Sequence, residues 1–180
     1  MIRATSPVRL LLVGLALVLL PAAGQAQVWT HTAHTCVVDE VHSSGQAFTS
    51  TDSLRVQRAG TVRARCNVTN PMDDGQSPNW GVLDIVYTDP PPAASNEKIT
   101  AVLWRIANDG SFGLPIVAFN SDSFPQAAAA QMQSVEFSHV FDFSEAAYFV
   151  EITLTEHDVG LTGTPRRKVL LVRLRPIGPR

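Results

Sequence analysis

A chain of 180 residues has the length of one ordinary domain, and its 14 basic and 16 acidic side chains leave a formal net charge of only −2. That balance argues against a nucleic-acid partner, which calls for a concentrated basic surface. Two cysteines without a CxxC spacing likewise make a poor zinc centre.

The chain opens with the three parts of a secretory signal. Arg3 and Arg9 give a basic start, an apolar run follows from Leu10 to Leu20, and Pro21 precedes the small-residue site Gly24-Gln25-Ala26. The run is well short of the roughly 20 residues that span a bilayer. Cleavage after Ala26 is expected to release residues 27–180 as a single secreted or periplasmic domain without a transmembrane anchor. That product keeps 12 basic and 16 acidic residues, a net charge of −4. In an exported chain, Cys36 and Cys66 predict one disulfide.

His31 and His34 follow among threonines. A β-branched, extended segment points two rings at this spacing to opposite sides, so a solvated arm is expected there rather than a metal pair. Short strands are predicted at 36–41, 47–51 and 54–58. Residues 61–69 alternate cleanly: Val62, Ala64, Cys66 and Val68 on one face, Arg63, Arg65 and Asn67 on the other. Asn67-Val68-Thr69 matches a glycosylation sequon, a tripeptide too common to assign without knowing the host.

The stretch RCNVTNPMDDGQSPNW at 65–80 ends that strand. Asn70-Pro71 stops the ladder and Asp74-Gly75 supplies a second turn. Asn70, Asp73 and Asp74 could also offer oxygens to Ca²⁺, but two carboxylates without the EF-hand spacing leave such a site incomplete. Asn79 and Trp80 add an amide and an aromatic, the mixture that recognises polar ligands, with Trp80 read as exposed at the end of a polar loop.

Further strands are predicted at 82–88 and at 98–107, whose doubly apolar middle places Trp104 in the core. Asn108-Asp109-Gly110 reads as a hairpin turn into a strand at 115–119. Residues 125–133 carry four consecutive alanines behind a proline and form the one helical candidate. Val135, Phe137, His139, Phe141 and Phe143 have period two, as do Tyr148, Val150, Ile152 and Leu154; residues 168–174 close the chain as a last strand.

Many short strands with Gly, Pro, Asn and Asp between them predict an all-β antiparallel sandwich, jelly-roll or immunoglobulin-like. It would have roughly 8–10 strands, one disulfide and at most one short helix. No GxSxG, HExxH or Gly-rich phosphate loop appears, so neither catalysis nor a cofactor or metal is expected. Two basic sets, Arg55, Arg58, Arg63, Arg65 and Arg166, Arg167, Lys168, Arg173, Arg175, are expected to pair across strands with Glu97, Glu136, Asp142 and Glu151. The function these residues support is a non-catalytic binding module for a polysaccharide or protein, using Asn70, Asp73, Asp74, Asn79 and Trp80. The alternatives are a secreted hydrolase built on His139, His157 and Asp158, and a structural protein that assembles through strand edges.

Overall fold

The computed structural model describes residues 27–72, 76–91, 97–111, 113–157 and 166–178, the side chain of Phe48 aside; the expected signal segment lies outside them. The described strands are β1 (Trp29–Thr32), β2 (Val37–Val38), β3 (Gln46–Thr49), β4 (Leu54–Arg58), β5 (Gly60–Val68) and β6 (Val82–Asp89). They continue with β7 (Lys98–Ala107), β8 (Leu114–Asn120), β9 (Ala127–Glu136), β10 (Ala146–Glu156) and β11 (Lys168–Arg175). The first sheet has the order β3-β4-β11-β6-β9, and β1 pairs with β11 from Trp29↔Leu174 to Thr32↔Leu171. The second sheet has the order β2-β5-β10-β7-β8. Every ladder is antiparallel. The predicted sandwich is the fold.

The alternation seen in the sequence becomes the core. Ala64 and Ala101 both stand opposite Ile152, while Cys66 and Leu103 both stand opposite Val150, and all of these side chains are buried. From the other sheet Leu83, Ile85, Tyr87, Val172 and Leu174 meet them. Each fully buried Leu or Ile stabilises the fold by about 1.5–3 kcal/mol, and β-branched residues fit the pleat with little entropy left to lose. Trp29 is buried as well, so β1 is docked sheet, and the solvated arm expected at the N-terminus is replaced by a strand and a 3-10 turn, Ala33–Thr35.

Behind that turn, Cys36 bonds Cys66 of β5 as expected, with Cα atoms 4.5 Å apart. The bridge closes a sequence separation of 30 and is worth about 3–4 kcal/mol on the chain-entropy model. Where β4 passes into β5, Gly60 has φ +136°, and a Cβ there would lie 2.6 Å from the Gly45 nitrogen. Only glycine fits that crossing.

Two predicted elements change. Residues 125–133 are not helical; β9 runs Ala127–Glu136 and pairs with β6 in register from Val82↔Glu136 to Tyr87↔Gln131. The helix preference of alanine is below about 1 kcal/mol per residue and a nine-residue helix is marginal alone, so a sheet edge waiting for a partner wins. Residues 137–143 leave the ladder once the Phe137 N–H has bonded the Gly81 carbonyl, at 2.9 Å. Their period-two aromatics cap one end of the sandwich, where Phe141 packs on Trp80, His139 and Tyr148.

Candidate functional site

The predicted loop divides. Asn70 does local turn work: its Oδ1 accepts from the Met72 N–H at 3.0 Å and its Nδ2 donates to the Gln76 carbonyl at 3.2 Å. Asp73 and Asp74 lie outside the described residues, and Asn79 is exposed. Trp80 is corrected outright: only 1% of it is exposed, its indole N–H donates to the Gln27 carbonyl at 2.7 Å, and its rings meet Phe141 and Phe143 edge-on. The aromatic cap at 137–143 supplied a burial that the polar flanks of Trp80 concealed. Asn79 and Trp80 do line a cleft with Phe137, His139 and Ile177, but at about 250 Å³ it is small for a ligand site. A buried indole held in place cannot offer a face.

The residues weighed for hydrolysis do not converge. His139 lies 3.3 Å from the Tyr148 hydroxyl, and burial, followed by Arg105 nearby, pushes its pKa down. His157 follows the far end of β10, roughly 30 Å away at the rise of an antiparallel strand. Asp158 lies outside the described residues.

Glu156 turns inward instead, beside a buried ion cluster. The Arg167 guanidinium stands 2.7 Å from Asp89 and 2.8 Å from Glu97, and the Arg167 backbone N–H donates to Glu156 at 3.3 Å. Two carboxylates share the guanidinium and a third takes the backbone N–H of the same residue, and burial pushes the Glu156 pKa up against the pull of Arg167. This cluster ties the ends of β6 and β10 to the residues that lead into β7 and β11; it is structural chemistry. Near the N-terminus His31 lies 3.7 Å from the Cys36 sulfur, but that atom is spent in the disulfide and offers no thiolate to a metal.

The outer face of the second sheet offers more. On β7, Trp104 is half-buried and points away from the core, contrary to its sequence reading. Its register partner on β10 is Phe149, whose other partner is Asn67 on β5. The two rings are near-parallel at 16° with centroids 6.5 Å apart. Arg65 sets its guanidinium 5.6 Å from the Phe149 ring and pairs with Glu151 at 3.3 Å and Asp39 at 3.2 Å. The ion pair with Glu151 is one of those expected from sequence. The Trp104 indole N–H is shielded and has no acceptor among the described residues. These side chains form an aromatic shelf with an amide and a guanidinium on one flank. A surface of this kind can pack an apolar ring face, and the amide and guanidinium beside it can bond hydroxyls.

The sequence signal for this shelf was present but ambiguous. Val102, Trp104 and Ile106 share one face of β7, while Ile99, Ala101 and Leu103 share the other. Both faces are apolar, and a single strand does not say which one meets the second sheet.

No protein-family model matches the chain, and no curated protein sequence matches it. Among solved structures it is similar to a xylan-binding module, CBM15, at 14% identity over 83% of this chain and 97% of that one, with a TM-score of 0.44. It is also similar to a chain studied for the promiscuous specificity of carbohydrate-binding modules of the β-sandwich superfamily, at 10% identity over 84% and 57%, TM-score 0.41. A third likeness is the VP2 subviral particle of infectious bursal disease virus, at 13% identity over 84% and 37%, TM-score 0.32. At these values the likenesses lend no weight to the choice of site, which rests on the chain's own side chains.

Proposed function

We propose that this chain is an exported, non-catalytic binding module that holds a polysaccharide on the outer face of its second sheet. The observation that carries the reading is the Trp104–Phe149 pair, two near-parallel rings on a sheet face rather than in the core. A sugar ring presents C–H groups on its faces and hydroxyls at its rim. The shelf matches both, with flat apolar area in the middle and Asn67 and Arg65 beside it. A protein surface keeps such aromatic area only at some cost in solubility unless something covers it.

The competing readings fit less well. His139 and His157 stand at opposite ends of β10, so a His–carboxylate hydrolase loses that pairing. Assembly through strand edges calls for a long, flat edge. Here β8 contains Pro115 and a register shift, β9 has a register shift beside Asp89, and β3 is only four residues long.

Intrinsic fluorescence tests the proposal. Trp29 and Trp80 are buried at 6% and 1% exposure, so Trp104 is the tryptophan that a bound glycan can reach. Titrating soluble glucans, xylans and uronans should shift the emission. Trp104→Phe should remove the response, and Phe149→Ala should weaken binding at least tenfold. A response that survives in Trp104→Phe, or no response to any polysaccharide, rejects the reading.

A further inference from the structure

We infer that the polysaccharide is an acidic one, bearing uronate or sulfate groups; this rests on the binding face proposed above. Descending the outer face of the second sheet from the aromatic shelf, the next row across the strands is Arg65, Glu151 and Val102. Below it come Arg63, Thr153 and Thr100, and then Thr61, Thr155 and Lys98. The lower half is thus a set of threonine hydroxyls, with the Thr61 and Thr155 oxygens 3.3 Å apart, flanked on one side by Arg63 and on the other by Lys98.

The cations on this face differ in one respect. Arg65 is neutralised by Glu151 and Asp39. The side chains of Arg63 and Lys98 have no carboxylate partner among the described residues, although cross-strand pairing was the expectation for Arg63. They stand two strands apart and one row offset, roughly 12 Å backbone to backbone at ordinary sheet spacings. Thr153 and Thr155 lie between them.

In a chain of net negative charge, two uncompensated cations beside an aromatic shelf segregate positive charge where a ligand would lie. A neutral glycan would leave both idle. A chain that stacks one sugar ring on Trp104 and Phe149 and continues along β10 brings its anionic groups between Arg63 and Lys98. Its remaining hydroxyls then meet the threonines.

The test uses probes matched in backbone and different in charge. Polygalacturonate, its fully methyl-esterified form, heparin and a neutral xylan are run against the oxidised protein by affinity electrophoresis and calorimetry. The expected result is binding of polygalacturonate or heparin at least tenfold tighter than the ester or the xylan, weakening as salt rises. Arg63→Gln and Lys98→Gln should each reduce that preference by at least threefold, at unchanged melting temperature. Equal affinity for ester and acid, or a preference untouched by both substitutions, overturns the inference. If Trp104→Ala still abolishes binding in that case, the aromatic site stands and only its charge class falls. If no anionic probe binds while xylan does, the inference is likewise rejected. If Trp104→Ala changes nothing, the site itself is rejected.

Discussion

The two outer faces of the sandwich treat charge in opposite ways. On the first sheet Asp84 is wholly buried beneath the guanidinium groups of Arg173 and Arg175, both bonded to its Oδ2 through Nε at 2.8 Å, while Ser134 donates to Oδ1 at 2.6 Å. Burial pushes the Asp84 pKa up, but the hydrogen bonds from Ser134, Arg175 and Arg173 outweigh it and hold the carboxyl below the ordinary aspartate value of 3.8. On the second sheet Arg65 is paired with Glu151 and Asp39, but Arg63 and Lys98 have no carboxylate partner among the described residues, and the Trp104–Phe149 pair lies on the same face. One face spends its charges on itself. The other leaves Arg63 and Lys98 without a carboxylate among the described residues, the charge pattern on which the proposed binding surface rests.

Asp84→Asn attacks this contrast hardest. It should cost about 2–4 kcal/mol in denaturant unfolding, toward the lower part of the range for a broken buried pair because both arginines still reach water. Polysaccharide affinity should stay unchanged. A loss under about 0.5 kcal/mol would mean that the first face is as uncommitted as the second.

Acidity separates two buried carboxyls of opposite sign. The Asp84 pKa is lowered on folding, so its contribution is present above pH 3.8 and is lost as pH falls below that value. The Glu156 pKa is raised, so its protonated form favours folding; that contribution is full below its ordinary value of 4.5 and is lost as pH rises through the higher folded value. As pH rises from the acid end, Asp84→Asn should therefore lose ground to the parent up to about pH 3.8, and Glu156→Gln should gain on the parent above pH 4.5. Departures of the same sign would refute the assignment.

The smallest expected change is Trp104→Phe, which should stay within about 1 kcal/mol of the parent. The lost ring area is offset by removal of a buried N–H donor without an acceptor among the described residues. A loss beyond about 3 kcal/mol in chemical denaturation would make Trp104 a core residue after all and dissolve the contrast.

What the sequence revealed follows from how local each signal is. Alternation in β5 and β10 is written in consecutive residues, and the inner row Val62, Ala64, Cys66 and Val68 could be read directly. The disulfide followed from the cysteine count together with the expectation of export. Trp80 and Trp104 exchanged roles because their surroundings are set at long range. Residues 137–143 cover Trp80 across the sandwich end, and the packing of β7 against the opposite sheet turns Trp104 outward. The alanine run misled for the same reason, since β6 decides its conformation and lies some forty residues upstream.

The placement of β1 beside β11 has a mechanical consequence. Trp29 lies opposite Leu174, so the segments that flank these two strands leave the fold at the same end. Tension applied between those segments would peel the ladder one rung at a time, the geometry in which hydrogen bonds resist least because they never share the load. The peeling would stop at Cys36, where the covalent link hands the force to β5, a strand of the other sheet paired on both sides by β2 and β10. Under an oxidising sky the domain therefore yields a short tether and then holds; under a reducing one it would continue to unravel.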